Sequence, residues 1–281
     1  MKIAVTGATG FIGRHVLADL ESRSVDSIAV VRPSTTKPPG HSRCNVVQFD
    51  IHKAPSNAFE LMGRPDVLIH LAWSGLPNYK SLHHFEKELP AQYRFFKSLI
   101  ESGLQTLVVA GTCFEYGMQS GLLSESIPAR PSNPYGFAKD ALRCQLEYLK
   151  AAHPFQLAWA RLFYLYGEGQ PGSSLLPQLR RVAEGGDQLF NMSGGEQLRD
   201  YLPVTEAARH LVSLALAEKD IGVVNVCSGG PISVRKLVEG WIKENGWSIK
   251  LNFGHYPYPD YEPMAFWGDL QKLSYLIGEA T

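Results

Sequence analysis

Tyr135 and Lys139 lie four residues apart in the segment NPYGFAK, and this spacing could support proton transfer. Asn133 and Pro134 favour an extended entry, because proline disfavours helical geometry in the residue before it. The residues that follow have a helical pattern, so Tyr135 and Lys139 share one helical face. A phenol beside an ammonium group can exchange a proton with a bound oxygen. Taken alone, the pair is more often an exposed aromatic and a solvated lysine on an amphipathic helix.

A glycine-rich turn, TGATGFIG, follows the first apolar run and precedes a helical pattern. Gly7, Gly10 and Gly13 have the spacing G-x-x-G-x-x-G. Glycines at these places allow a tight turn, close approach of the backbone to a pyrophosphate and close helix–strand packing, and the helix N-terminus attracts the anion. The turn therefore predicts a dinucleotide site, and a glycine-rich turn without a ligand is the alternative.

Arg32 stands at the end of the second predicted strand, where an NAD-binding fold usually has an acid for the ribose hydroxyls. An arginine there can accommodate a 2′-phosphate, so we expect NADP, with NAD as the alternative. A solvated loop arginine is the competing interpretation. Asp50 and Ile51 follow the third predicted strand and are expected to hydrogen-bond and pack against adenine, although an N-cap or turn aspartate would give the same pattern.

Short β-rich runs alternate with helical patterns through the first half of the chain. Near-continuous apolar strands separated by helices are typical of a doubly wound, Rossmann-type α/β fold with a parallel sheet. After about Phe163 the regular alternation of strand and helix patterns ends, which favours a smaller, partly interwoven C-terminal substrate lobe. We predict a dinucleotide-binding domain over 1–165 with a returning segment near 200–228, and a substrate-binding lobe over 166–199 and 229–281.

The composition excludes several classes of protein. The chain has 281 residues, 44% of them hydrophobic, and its net charge is zero, so no basic excess is available to bind nucleic acid. No polybasic segment suggests a membrane surface, and no apolar run approaches the roughly 18 residues that cross a bilayer. The cysteines lack metal-like spacing and suit a reduced, cytoplasmic protein. We expect no metal, nucleic-acid or membrane partner.

Ordered motifs from residue 1 to about residue 237 resemble the extended short-chain dehydrogenases/reductases, specifically the NAD-dependent epimerase/dehydratase group that acts on nucleotide sugars. The motifs are TGATGFIG, FDI, HLAW, GTCFEYG, NPYGFAK, ARLFYLYGEGQ, LRDYLPV and NVCSGG. Together they are specific, although each alone is not. The last forty or so residues add nothing to the resemblance.

The resemblance implies that Thr112, Tyr135 and Lys139 are catalytic. Tyr135 would exchange a proton with a sugar oxygen as a hydride moves, Thr112 would hydrogen-bond that oxygen, and Lys139 would hold the nicotinamide ribose. A free tyrosine titrates near pH ~10. A nearby ammonium, together with the positive nicotinamide of the oxidised cofactor, is expected to lower the pKa of Tyr135.

The resemblance also places the two ligands. The residues expected at the dinucleotide are Gly7, Gly10, Phe11, Ile12, Gly13, Arg32, Asp50, Ile51, Leu71, Ala72, Tyr135 and Lys139. The residues expected at the substrate are Trp73, Cys113, Phe114, Tyr164, Ser174, Leu175, Arg199 and Arg235. Arg199 is predicted to contact the nucleotide diphosphate, with an ion pair to Asp200 or Glu206 as the alternative. Arg235 is a weaker second candidate for the same contact.

Several departures from the family pattern narrow the expected reaction. Family dehydratases carry an Asp-Glu pair where this chain has Cys113 and Phe114, so dehydration is not expected. The epimerase-reductases that make GDP-fucose place a cysteine at the Phe114 position and a histidine at the Ser174 position, so C3/C5 epimerisation is not expected either. Cys113 is interpreted as a small wall residue. Glu88 and Tyr164 stand where the family usually has asparagine, which predicts an atypical substrate pocket.

The remaining chemistry is exchange between a ketone and an alcohol at one carbon. We expect a cytoplasmic, NADPH-dependent reductase of the 4-keto group of a nucleotide-linked 4-keto-6-deoxy sugar. The alternatives are an NAD-dependent nucleotide-sugar 4-epimerase and a non-catalytic dinucleotide-sensing protein. The resemblance also implies a homodimer through helices near 82–102 and 136–152. The nucleobase (dTDP, GDP, CDP or UDP) and the stereochemistry at C4 are left open.

Overall fold

The computed structural model describes residues 1–35, 42–186 and 188–278. The strands are β1 (Lys2–Thr6), β2 (Asp26–Val31), β3 (Cys44–Gln48), β4 (Val67–His70), β5 (Thr106–Thr112), β6 (Gly121–Leu123), β7 (Gln156–Leu162), β8 (Tyr164–Tyr166), β9 (Leu189–Asn191), β10 (Leu198–Pro203), β11 (Gly222–Val226), β12 (Pro231–Ser233), β13 (Lys250–Asn252) and β14 (Phe266–Gly268). The α-helices are α1 (Phe11–Ser22), α2 (Ala58–Leu61), α3 (Leu89–Glu101), α4 (Pro134–Ala152), α5 (Leu175–Glu184), α6 (Val204–Leu216), α7 (Val234–Asn245) and α8 (Gln271–Ile277). Short 3-10 turns span Ile51–Lys53 and Cys113–Tyr116, and a π-helical turn spans His84–Glu88. Residue 187 and residues 279–281 of the predicted substrate lobe lie outside the described residues.

A seven-stranded sheet forms the centre of the fold, with the order β11-β7-β5-β4-β1-β2-β3. Every neighbouring pair in it is parallel. The chain builds β1, β2 and β3 outward on one side and then crosses to β4 and β5 on the other. This reversal of strand order opens a crevice at the carboxyl ends of β1 and β4. The predicted doubly wound, Rossmann-type sheet is confirmed.

The two faces of the sheet are covered by separate apolar cores. One core joins the sheet to α1 and α6, which pack on each other, and the other joins it to α3 and α4. Because helices cover both faces, central strands such as β5 are buried along their whole length. This is why their sequences are almost continuously apolar.

The smaller C-terminal part has its own apolar core around α5, α7 and β9. After its first elements the chain returns to the large sheet, because β11 pairs with β7. A last strand, β14, pairs with β6 of the N-terminal part. The two parts are therefore joined through several crossings of the chain, and the predicted domain boundaries stay a prediction.

The helices predicted to form a dimer lie next to each other in the fold. The 82–102 segment contains the π-helical turn followed by α3, and the 136–152 segment belongs to α4. The homodimer itself stays a prediction. Within the described ranges, none of the helices combines the length and the apolar character that crossing a bilayer requires.

A buried ion pair connects β5 to β7 directly beneath the carboxyl end of the sheet. Glu115 is fully buried and accepts hydrogen bonds from Arg161 Nε at 2.7 Å and from Trp159 Nε1 at 2.9 Å. It also accepts from the backbone N–H of Thr112 at 2.9 Å and closes a capping box on the turn that follows β5. Burial raises the pKa of Glu115, and the Arg161 guanidinium opposes that rise.

We expect Glu115→Ala to lower the free energy of unfolding by about 3–5 kcal/mol, because Arg161 would keep a buried charge without its partner. Urea unfolding followed by circular dichroism measures the change. Glu239→Ala removes an acid from the exposed pair with Arg235 and should cost at most about 1 kcal/mol. A loss for Glu115→Ala as small as that of the control would show that the buried pair does not hold this region together.

Candidate active site

The glycine turn after β1 has a shape that only glycine permits. Gly7 has φ +68, and a Cβ on it would lie 2.8 Å from the carbonyl carbon of Leu71. A Cβ on Gly13 would lie 2.2 Å from the carbonyl oxygen of Gly7, so α1 packs directly on the turn. Gly10 is the N-cap of α1 and offers no side chain to the first amides of the helix. These amides remain available to an anion.

A groove of about 530 Å³ lies over this turn, at the crevice between β1 and β4. The predicted cofactor residues that line it are Gly7, Gly10, Arg32, Asp50, Ile51, Leu71 and Ala72. Phe11, Ile12 and Gly13 lie in the first turn of α1 beside it. The absence of side chains at the turn and the free helix N-terminus fit a dinucleotide pyrophosphate.

For Asp50 and Arg32 the sequence left two interpretations open, a cofactor contact or an ordinary turn or loop residue. Asp50 is the N-cap of the 51–53 turn, and its carboxylate accepts a hydrogen bond from the backbone N–H of His52 at 3.0 Å. Arg32 is exposed at the groove, just after the end of β2. Each therefore lies where a cofactor contact requires it, and the adenine and 2′-phosphate contacts stay predictions.

Thr112, Tyr135 and Lys139 meet at the carboxyl end of β5. Thr112 is the last residue of β5, and Tyr135 and Lys139 lie in the first two turns of α4. Asn133 caps α4 by accepting the N–H of Gly136 at 2.9 Å, and Pro134 follows as the first helical residue. The helical face predicted from the NPYGFAK spacing thus points into the site.

The Lys139 ammonium is held away from solvent. Its Nζ donates a hydrogen bond to the carbonyl oxygen of Ala110 at 2.8 Å and lies 3.9 Å from the centre of the Trp73 ring. Burial lowers the pKa of Lys139 to about 7, and Glu115 and Glu88 oppose that shift. Trp73 lines the groove over the glycine turn and also lies 6.0 Å from the Tyr135 ring, and its contact with the substrate stays a prediction.

The expected lowering of the pKa of Tyr135 stays a prediction for the cofactor complex, and burial acts against it. Tyr135 is buried, and its burial, followed by the neighbouring Tyr79, raises the pKa of the phenol, while hydrogen bonding with Thr112 opposes the rise. The sequence argument counted the charge of Lys139 and missed the cost of burying a phenolate. The phenol is therefore protonated and can act as a proton donor.

Aromatic rings surround Tyr135 on the side that faces away from α4. The rings of Tyr79, His84 and Phe114 have centroids 5.7, 5.2 and 6.3 Å from that of Tyr135. Tyr261, from the C-terminal segment, stacks in turn on Tyr79 and Phe114. Sequence reasoning placed Phe114 here but missed Tyr79 and Tyr261, which lie in segments without a periodic pattern.

A second cavity, of about 280 Å³, lies in the C-terminal part. Tyr164, Leu175 and Arg199 line it, as predicted for the substrate site. Arg199 is buried, and its Nη2 lies 3.0 Å from Oε1 of Glu262, a residue that the sequence did not single out. Its Nη1 donates to the carbonyl oxygens of Leu198 and Met264.

The predicted alternative partners of Arg199, Asp200 and Glu206, are wrong. Asp200 accepts hydrogen bonds from the backbone N–H groups of Ser228 and Gly229 at 2.7 and 3.0 Å. Glu206 pairs with Arg209 on α6. Both acids therefore have local partners, and Arg199 pairs with an acid 63 residues away in the sequence.

Five predicted substrate residues lie outside the lining of this cavity: Trp73, Cys113, Phe114, Ser174 and Arg235. Arg235 is exposed, pairs with Glu239 at 2.8 Å and lies 4.3 Å from the centre of the Phe253 ring. Ser174 is the N-cap residue of α5. Cys113 is a buried wall residue, and burial raises the pKa of its thiol, which stays neutral. Cys113 therefore supplies no acid–base group to the site.

Glu88 makes this site different from the expected family pattern. Its carboxylate is buried at the edge of the dinucleotide groove and accepts hydrogen bonds from His52 Nε2 at 2.7 Å and Gln92 Nε2 at 2.9 Å. The hydroxyl of Ser74 donates to it as well. These donors lower the pKa of Glu88 although burial opposes them, so the carboxylate is charged.

Comparisons with known proteins agree with this geometry. The sequence model of the "NAD dependent epimerase/dehydratase family" matches residues 3–227. A dTDP-6-deoxy-L-talose 4-dehydrogenase (NAD(+)) of Aggregatibacter actinomycetemcomitans is 29% identical over 270 residues, which are 95% of this chain and 99% of the relative. A dTDP-6-deoxy-L-talose 4-dehydrogenase (NAD(P)(+)) of Kitasatospora kifunensis is 28% identical over 271 residues, which are 92% of this chain and 83% of that relative.

Solved structures show the same architecture. MoeE5 in complex with UDP-glucuronic acid and NAD is 25% identical and superposes with a TM-score of 0.84, covering 100% of this chain and 94% of that chain. The family match covers most of the chain and confirms the resemblance seen in the motifs. The chain belongs to the NAD dependent epimerase/dehydratase family, within the extended short-chain dehydrogenases/reductases.

Proposed function

We propose that the protein interconverts the 4-keto and 4-hydroxy forms of a nucleotide-linked 6-deoxy sugar, and that it acts mainly as an NADPH-dependent 4-ketoreductase. The observation that carries this proposal is the buried phenol of Tyr135, which hydrogen-bonds with Thr112 and lies beside the dinucleotide groove. A protonated donor suits the reduction of a ketone, because the new alkoxide must receive a proton. The two relatives named as 6-deoxy-talose 4-dehydrogenases support the choice of substrate.

Tyr135, Thr112 and Lys139 have separate roles in the proposed reaction. The groove over the glycine turn would hold the dinucleotide, whose nicotinamide would supply a hydride. The Tyr135 hydroxyl donates its proton to the 4-oxygen, and the Thr112 hydroxyl donates a hydrogen bond to the same oxygen. Thr112 Oγ1 accepts the backbone N–H of Phe114 at 3.3 Å and hydrogen-bonds with Tyr135, so its hydroxyl lies beside the phenol that protonates the substrate. Lys139 holds the nicotinamide ribose and places positive charge beside the phenol.

The same three residues could serve a 4-epimerase, and one relative supports that second candidate. A UDP-glucose 4-epimerase of Streptococcus mutans is 26% identical over 240 residues, which are 76% of this chain and 72% of the relative. The family epimerases keep their dinucleotide through the reaction cycle. A purified protein that carries tightly bound NAD and needs none added would favour the epimerase over the reductase.

The proposal extends to a cytoplasmic homodimer formed through α3 and α4. Phe137 and Tyr148 of α4 are large and exposed, with 52% and 82% of their surface accessible, and Leu82 lies exposed just before the π-helical turn. Exposed apolar groups on neighbouring helices are suited to cover each other in a symmetric pair.

We expect Tyr135→Phe to reduce the rate of ketone reduction by about 10²–10⁴-fold, since it removes the proton donor but keeps the ring. Steady-state assays with NADPH and dTDP-, GDP-, CDP- and UDP-linked 4-keto-6-deoxyhexoses measure the effect and identify the nucleobase. NADPH affinity and the circular dichroism spectrum should not change.

Tyr148→Phe is the matched control, because Tyr148 lies on the same helix and is exposed. It should leave the rate unaltered. If Tyr135→Phe reduced the substrate as fast as this control, Tyr135 would be only an aromatic packing residue and the mechanism would be wrong.

Cofactor choice in this proposal depends on Arg32. The residue is exposed at the groove where β2 ends, and this position supports a contact between its guanidinium and a 2′-phosphate. We expect Arg32→Asp to weaken NADPH binding by roughly tenfold to a hundredfold, because a charged hydrogen bond is replaced by repulsion. NADH binding should change little, and fluorescence titration of both nucleotides measures the two affinities.

Arg64→Asp makes the same change of charge at the amino ends of the strands, where the Arg64 side chain is 73% exposed. It should leave both affinities unaltered. Tighter binding of NADH than of NADPH by the unsubstituted protein would show that Arg32 is an ordinary loop residue and that the enzyme prefers NAD.

A further inference from the structure

A segment near the C-terminus crosses between the two parts of the protein and borders the substrate cavity. We call residues 255–264 the strap. At one end, the backbone N–H of His255 donates to the carbonyl oxygen of Met192 in the C-terminal part. In its middle, the ring of Tyr261 lies 5.8 Å from the ring of Tyr79, which belongs to the loop after β4. The strap is therefore fixed to both parts.

Glu262 is the charged residue that the strap buries. Its side chain is 8% exposed and lines the cavity of about 280 Å³. One oxygen lies 3.0 Å from Arg199 Nη2, and the other accepts the hydroxyl of Tyr164. Burial, and next the charge of Glu262, raise the pKa of Tyr164, so its hydroxyl stays a donor.

Glu262 lies between the catalytic residues and the rest of this cavity. The residue before it, Tyr261, stacks against Phe114, which follows Thr112 by two positions. Tyr261 also contacts the ring of Tyr79, which in turn contacts the ring of Tyr135. Glu262 therefore borders the cavity on the side where ring contacts lead to Tyr135.

We propose that Glu262 is a specificity-determining residue, which selects nucleotide sugars whose ring carries neutral hydroxyl or alkyl groups and rejects those that carry a carboxylate. This inference rests on the proposed function, because it assumes that the cavity binds a nucleotide sugar. A carboxylate accepts hydrogen bonds from sugar hydroxyls, whereas a second carboxylate in a desolvated site meets repulsion.

The surrounding charges leave no compensation for an anionic sugar. Arg199 is the one cationic side chain among the described residues that line the cavity, and Glu262 already neutralises it. Its Nη1 is engaged by the carbonyl oxygens of Leu198 and Met264. Among the described lining residues, a uronate would therefore meet no unpaired cation to balance its carboxylate.

The test compares matched ligands that differ only at C6 of the sugar. Isothermal titration of the protein, saturated with dinucleotide, gives dissociation constants for UDP-glucose and UDP-glucuronate, and for dTDP-glucose and dTDP-glucuronate. In the nucleotide series that binds, we expect the neutral sugar to be preferred by at least about tenfold. Glu262→Gln should remove most of that preference, mainly through tighter binding of the uronate, and Glu262→Asp should retain it.

Asp260→Asn is the matched control, because it removes one negative charge from the same strap at a side chain that is 78% exposed. It should keep the preference of the unsubstituted protein. The ratio of the dissociation constants for the neutral sugar and the uronate distinguishes a role in specificity from a structural role. If Glu262 only balances the charge of Arg199, Glu262→Gln changes both dissociation constants by the same factor and the inference is wrong. Equal binding of both sugars by the unsubstituted protein would also overturn it.

The outcome also distinguishes this inference from the proposed function on which it rests. Turnover of a 4-keto sugar together with equal binding of the two C6 forms would retain the reductase and reject the role of Glu262. Binding of neither nucleotide series would reject the nucleotide-sugar site and the inference with it. Unchanged NADPH affinity in Glu262→Gln verifies that the variant is folded.

Discussion

The buried pair of Glu115 and Arg161 is the constraint on which the site depends. Glu115 accepts the backbone N–H of Thr112 and so fixes the turn after β5. That turn presents Phe114 so closely to α4 that a Cβ on Gly136 would lie 2.5 Å from its carbonyl oxygen. Because α4 can come this close to the turn only where Gly136 lacks a side chain, the Glu115–Arg161 pair sets the distance between Thr112 and Tyr135. A charge buried at the turn after β5 thereby determines the geometry of the proposed catalytic residues.

Much of the sheet and its cofactor turn was predictable, because the signals are local. The glycines of TGATGFIG act within one turn, and α1 spans Phe11–Ser22 as its apolar pattern predicted. Strands buried on both faces must be apolar throughout, so their runs were visible as well. The NPYGFAK segment was equally informative, since an Asn-Pro cap and a helical spacing place Tyr135 and Lys139 on one face.

The substrate side was less predictable, because its contacts join distant segments. The sequence suggested acids close in the chain as partners of Arg199. In the structure, Asp200 instead accepts a hydrogen bond from a backbone amide after β11, and Arg199 pairs with Glu262. Nothing periodic marks the stretch that contains Tyr261 and Glu262, since it is neither helix nor sheet. Its position is set by the pairing of β14 with β6, a contact between residues more than 140 positions apart. Sequence spacing carries no signal for such a contact.

The ionisation of the site follows from burial more than from pairing. Desolvation raises the pKa of Tyr135 and lowers that of Lys139, so each group is pushed toward its neutral form in the protein alone. A neutral phenol is ready to protonate a ketone, which favours reduction from the resting state. The reverse reaction needs a phenolate, and the positive charge of an oxidised nicotinamide beside Lys139 is what would stabilise it. In the proposed mechanism, the proton state of Tyr135 would therefore follow the redox state of the cofactor, and a single tyrosine would serve both directions.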